Sequence, residues 1–192
     1  NGASYDLAPI SLKDPLLEIT PIKLNLFLPN ISDEVYISGF GLNGTGTNPD
    51  QDFDKKKRWG KNTISIIADE SSINGSSLSS SPDKKIIGIN FDKNKGQLES
   101  MISLGDSGSP LLIKENNQLS IVGVASWIKK NASTLNRGYG ASAGFSSIQQ
   151  NQKWLEDNNP LRSITSVLDG NWSIDSNWND QLFPSNQYPG IE

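Results

Sequence analysis

Gly105-Asp106-Ser107-Gly108-Ser109-Pro110, running into the apolar Leu111-Leu112-Ile113, is the stretch on which the reading of this 192-residue chain turns. Glycine tolerates backbone angles that other residues avoid, so the chain can turn sharply here and aim backbone N–H groups at one spot. A serine hydroxyl beside converging N–H donors supplies what acyl transfer needs, a nucleophile and a hole for the oxyanion. Taken alone, the same residues also read as a Gly/Ser turn before a buried strand.

Composition narrows the choice. Hydrophobic residues make up 34% and charged residues 20%, with 17 Gly and 10 Pro, which suits one loop-rich all-β domain with room for a tail. No run approaches the ~18 apolar residues of a membrane span. No charged-then-apolar leader opens the chain, so an export signal is expected upstream. A net charge of −4 argues against nucleic acid as a partner. The basic cluster Lys55-Lys56-Lys57-Arg58 follows Asp50, Asp52 and Asp54 and reads as a solvated loop. Having no cysteine excludes disulfides, thiolate metal sites and a cysteine nucleophile, and neither a metal nor a cofactor is expected. There is also no histidine. A serine hydroxyl at its free pKa is a weak nucleophile that needs an adjacent base, and this chain cannot supply the usual one.

Around the serine stretch, strand signals recur at intervals that suit a barrel. They cover 34–39, 59–68, 85–91, 109–113, 119–127 and 139–145, six strands in all. Upstream, Tyr5-Asp6-Leu7-Ala8-Pro9-Ile10-Ser11-Leu12 is a short alternating segment, and an Asp before such a segment is often only a turn residue. Two long polar loops, 41–54 and the Ser-rich 69–83, read either as surface insertions or as functional loops. From Ser146-Ser147-Ile148 to Trp154-Leu155-Glu156 the pattern predicts a short amphipathic helix with a serine cap. Asn158-Asn159-Pro160 then breaks the chain. The tail carries two Asn-Trp pairs, Asn171-Trp172 and Asn177-Trp178, open to reading as a tryptophan-anchored hairpin.

The hexapeptide resembles the nucleophile motif of trypsin-like (chymotrypsin-fold) serine proteases. Its Ser109, where animal members usually carry glycine, is similar to the spelling in bacterial autotransporter proteases. An α/β-hydrolase elbow would want glycine two places after the serine. Three further segments follow the family's order. The Asp6 segment resembles the D-I-A-L-I-x-L strand that carries the catalytic aspartate. Ile19-Thr20-Pro21-Ile22-Lys23-Leu24 resembles the P-I-x-L connector between the two β-barrels. Ile121-Val122-Gly123-Val124-Ala125-Ser126-Trp127 is similar to the V-G-I-x-S-W strand, along which substrate lies as an added strand.

The resemblance implies an all-β, chymotrypsin-like double β-barrel. Residues 1–30 would give the last strand of the first barrel and the connector, 31–157 the second six-stranded barrel with its closing helix, and 158–192 the tail. That tail also resembles the opening of a β-solenoid passenger, although no internal repeat supports it. A secreted, cell-surface or periplasmic location goes with the same likeness. By position, Ser107 is the nucleophile, Gly105 and Ser107 N–H groups form the oxyanion hole, and Asp6 supports a histidine carried by a missing amino-terminal segment or chain. Asp106 matches a position that in many relatives pairs with the new amino terminus made on activation. The specificity pocket would be built from Met101, Ser126, Trp127 and Ile128. Met101 stands where trypsin has its acid, and Ile128 where glycine is frequent. An unpaired cation in that apolar pocket is costly. Cleavage of protein or peptide substrates after small or medium apolar residues is therefore expected. The competing reading is a protease-like binding module without catalysis.

Overall fold

In the computed structural model the described residues are 6–14, 16–69, 85–159, 164–169 and 177–180. In β2 (Glu34–Gly39), Val35 and Ile37 are buried while Glu34 and Tyr36 face outward. In β3 (Arg58–Asp69) Gly60, Asn62 and Ile64 turn inward. β4 (Lys85–Asn90) and β5 (Pro110–Glu115) bring Ile87, Ile89, Leu111 and Ile113 to the same interior. β6 (Gln118–Lys129) and β7 (Ser142–Ser147) add Val122, Ala125, Ala143 and Phe145. Period-2 burial marks β2 and the start of β3, while β4, β5 and β7 contain runs of consecutive buried residues.

Antiparallel pairing runs β6-β5-β2-β3-β4-β7, and β7 pairs back onto β6. The sheet thus closes into a six-stranded barrel, which satisfies the backbone of every strand and leaves no edge. One extra strand, β1 (Lys23–Leu24), lies parallel to β6 outside the closed ring. Asn116 and Asn117, both in the left-handed region at φ 47° and 65°, make the two-residue hairpin turn between β5 and β6. The six expected strands are all present, with ends shifted by up to three residues.

Two segments differ from the sequence reading. Over 6–14 no strand forms: Ile10 and Leu12 are exposed, and an alternating segment with no ladder partner has nothing to hold it extended. The closing helix is shorter than expected, because Ser146 and Ser147 are spent as the last residues of β7. A 3₁₀ turn (Gln149–Asn151), where Gln150 N–H donates to Ser147 Oγ at 3.4 Å, leads into α1 (Gln152–Asp157), whose own start has no side-chain cap. In the tail, β8 (Ile164–Ser166) pairs with β9 (Trp178–Asp180), while Asn171-Trp172 lies outside the described residues. Of the two polar loops, 41–54 is described and most of 69–83 is not.

Candidate active site

The serine loop is shaped by its two glycines. Gly105 sits at φ +93° and Gly108 at φ +82°, in the left-handed region that other residues enter at a cost. Between them the chain folds back on itself: Asp106 N–H donates to Ser103 O at 3.1 Å and Ser109 N–H to Asp106 O at 2.9 Å. The loop is then pinned to β6, with Gly108 N–H on Ala125 O at 3.1 Å and Ala125 N–H on Ser109 O at 2.9 Å. Ser107 is left exposed at the tip. Among the described residues the N–H groups of Gly105 and Ser107 have no acceptor.

Asp106 turns the other way. Its carboxylate accepts from Gly41 N–H at 2.7 Å and Ser103 N–H at 2.8 Å. A Cβ on Gly39 would stand 2.0 Å from Asp106 Oδ1, and one on Gly41 2.6 Å from Oδ2, so only glycine admits the carboxylate at these two positions. Leu42 N–H donates to Leu104 O at 2.9 Å, which joins the loop after β2 to the serine loop a second time.

Asp6 reaches the site from the far end of the chain. Ser126 donates its hydroxyl to Asp6 Oδ2. The register explains how. Ala125 pairs with Phe145 and Trp127 with Gly144, so Ser126 is the extra residue of a bulge, a device that re-aims a side chain. Ser126 follows directly on Ala125, the residue that pins the serine loop. Asp6 and Ser107 therefore share one support.

The other expected pocket residues spread over separate surroundings. Trp127 lies against Gly144, where a Cβ would stand 2.2 Å from its Cε2, and its buried Nε1 has no acceptor among the described residues. Ile128 and Met101 are partly buried and pack on the barrel core. Met101 also lines a cavity of about 350 Å³, together with Gly41, Asp50, Asp106 and Arg137. Gly105 and Ser107 line a second, more open depression of about 360 Å³ with Phe40 and Lys57. Ser126, Trp127 and Ile128 line neither of the two.

The contacts of Asn62 and Asp50 are not expected from the sequence, which offers Asp50 only as an acid in a solvated stretch. Buried Asn62 donates from Nδ2 to Asn90 O at 2.9 Å and Ser100 O at 2.8 Å, fixing the segment before Met101 to β3. Its signal is an amide at an inward position of an alternating strand, which must find partners when buried. Asp50 accepts from Ser103 Oγ and from Arg137 Nη1, each at 2.8 Å. Burial alone would raise its pKa, but these bonds, with the nearby charges of Arg137 and Lys130, hold its carboxyl below the usual aspartate value. Nearby Glu99 goes the other way, raised chiefly by burial. Among the described residues no cluster of three His, Cys, Asp or Glu side chains could hold a metal ion, and no helix is long and apolar enough to cross a membrane.

A closed six-stranded β-barrel with an exposed serine on a glycine-framed loop, backed by the half-buried Asp106, defines a class, and comparison with known proteins places the chain in it. The family model for trypsin matches residues 1–155, and the chain belongs to the trypsin family. Among solved structures it is similar to neuropsin, a serine protease expressed in the limbic system of mouse brain, with a TM-score of 0.50 and 16% identity. That likeness concerns the fold. It covers 72% of this chain and 53% of neuropsin, so the chain spans about half the length of that protein. No match was found among curated proteins.

Proposed function

We propose that this chain is the nucleophile-bearing part of a serine endopeptidase. The observation that carries the reading is that Asp6 and the Ser107 loop meet on adjacent residues of β6, Ser126 and Ala125. In this reading Ser107 Oγ attacks the carbonyl carbon of a peptide bond and gives its proton to a histidine imidazole supplied by an amino-terminal segment or chain. The N–H groups of Gly105 and Ser107 take up the charge on the oxyanion. The tetrahedral intermediate then breaks its C–N bond. The leaving amine takes the proton from the imidazolium, and an acyl-enzyme ester remains on Ser107 for water to cleave. Asp6 orients the imidazole and supports its positive charge. Asp106, which lines the 350 Å³ cavity, is the position for pairing with a new amino terminus.

Exposed apolar side chains support a partner for the amino-terminal region. Ile10, Leu12, Leu16, Leu17, Ile19 and Ile22 are all exposed, a run that suits burial against a first barrel. Met101 and Ile128 support a preference for small or medium apolar residues on the acyl side of the cleaved bond. The autotransporter likeness and a location outside the cytoplasm rest on the Ser109 spelling and on the tail from 158. The test is a longer polypeptide that includes the upstream coding region. It should hydrolyse apolar peptide substrates and lose that activity in Ser107→Ala. Hydrolysis that survives Ser107→Ala, or an upstream region without a histidine codon, contradicts the reading.

A further inference from the structure

We propose that Asp50 is a positioning residue that ties the serine loop to the loop following β6 through one shared carboxylate. This goes beyond the peptidase reading and uses it for one arm of the test only. Three segments converge on Asp50. The residue itself belongs to loop 41–54, at φ 54°, a left-handed conformation that Asp and Asn tolerate better than other side chains. Its Oδ1 takes the hydroxyl of Ser103, two residues before Gly105. Its Oδ2 takes the guanidinium of Arg137, which stands in the loop between β6 and β7. The side chains of Arg137 and Asp50 are 23% and 19% exposed, so water screens this pair less than an open surface pair.

The backbone around this contact is built to hold it. Loop 41–54 is closed on itself by Asn43 N–H to Asp52 O at 2.9 Å and Gln51 N–H to Asn43 O at 2.7 Å. Tyr139 N–H donates to Gly46 O at 2.8 Å, and a Cβ on Gly138 would stand 2.2 Å from the same oxygen, so loops 41–54 and 130–141 lie directly against each other. With no cysteine in the chain, the serine loop has no covalent tie to either of them. Its links to loop 41–54 are the Gly41–Asp106 and Leu42–Leu104 bonds and the Ser103–Asp50 bond, and only the last continues to Arg137. The serine loop and loop 130–141 are thereby expected to gain and lose order together.

Hydrogen exchange on the full 192-residue chain tests this without any need for catalysis. Asp50→Asn keeps a residue that accepts the left-handed backbone but removes the charge. Arg137→Met removes the distant partner, and Arg137→Lys retains its charge. Losing a bond to a charged group is expected to speed exchange by about tenfold or more at 103–109 in both Asp50→Asn and Arg137→Met. The double variant should do no more than either single change, because both break the same tie. Arg137→Lys should restore part of the protection. Amides of β4 and β7 should exchange as in the parent and so report an intact barrel. The proposal is overturned if Arg137→Met alters exchange only within 130–141, or if the two changes add. If Asp50→Asn fails to fold, the comparison of Arg137→Met with Arg137→Lys decides alone. In the longer polypeptide, kcat per titrated serine should fall about tenfold in Arg137→Met and recover in part in Arg137→Lys. Coupled exchange in a chain that never reacts at Ser107 would leave the tie standing and remove the peptidase reading.

Discussion

Ser126 donates its hydroxyl to the carboxylate of Asp6, a residue 120 positions earlier in the chain. The contact depends on the β6 bulge between Ala125 and Trp127, which turns Ser126 away from its ladder neighbours. In the proposed peptidase this bond fixes the carboxylate that orients the imidazole. Ser126→Ala should therefore lower kcat by about 10- to 100-fold, the range expected for a bond to a charged group, with KM little changed. Asp6→Asn should cost more, about 10⁴-fold by the family's own template. Steady-state kinetics of the longer polypeptide check both. A Ser126→Ala enzyme with full kcat would mean that the bond does not position Asp6.

Asp106 is held by a steric fit as well as by hydrogen bonds. Gly39→Ala places a methyl where the carboxylate now sits. The expected cost is about 1–3 kcal/mol of stability from overpacking, with displacement of Asp106 from Gly41 and Ser103 N–H. Urea unfolding of the 192-residue chain measures it. An unchanged midpoint and slope would show that the carboxylate has another place to go.

Acid should weaken the cavity region in a defined sense. Asp50 has its pKa depressed below the ordinary 3.8 in the folded chain. Its contribution is therefore fully present above the unfolded value and is lost as pH falls through the folded one. The stability difference between the parent and Asp50→Asn should be constant from neutral pH down to about pH 5 and should shrink as pH drops below 4. Thermal unfolding of both chains across that window gives the comparison. A gap that widens towards low pH contradicts the sign.

The proposed specificity rests on Met101 and Ile128. The longer polypeptide should favour small or medium apolar residues over Lys or Arg. The choice among the apolar ones should be loose, since one methylene is worth only ~1–3 kcal/mol. Met101→Asp should move preference towards basic residues only in part if Ile128 narrows the pocket as the family likeness implies. A peptide library ranked by kcat/KM reads this out. If arginine substrates win in the parent, an acid other than residue 101 serves the pocket, and Glu99, which lines the same cavity, is the first to test.

Much of this fold was legible because β2 carries its own alternation and β4 and β5 carry continuous apolar runs. Val35 and Ile37 announce a strand whatever surrounds them. The serine loop was legible for a local reason too, since Gly105 and Gly108 take the left-handed backbone within the motif itself. The failures have the opposite character. Alternation at Asp6 to Leu12 predicts a strand, yet a ladder needs a partner strand, and among the described residues none pairs with 6–14. The helix starts later than its pattern suggests, because Ser146 and Ser147 first pair with Ile86 and Gly123 as the end of β7, and Ser147 Oγ then takes Gln150 N–H at the 3₁₀ turn. The Asp50 contacts join residues 53 and 87 positions apart across loops that read as solvated, so no local pattern marks them.

The most direct measurement of the central claim is labelling of Ser107 by a fluorophosphonate. The 192-residue chain alone should stay unlabelled, because it contains no histidine to act as the proposed base. Labelling should appear when the upstream segment is supplied, map to Ser107 by peptide mass, and vanish in Ser107→Ala. Labelling of the isolated chain at the same rate, or a label that maps to any other residue in the complete protein, would contradict the assignment of Ser107 as a histidine-activated nucleophile.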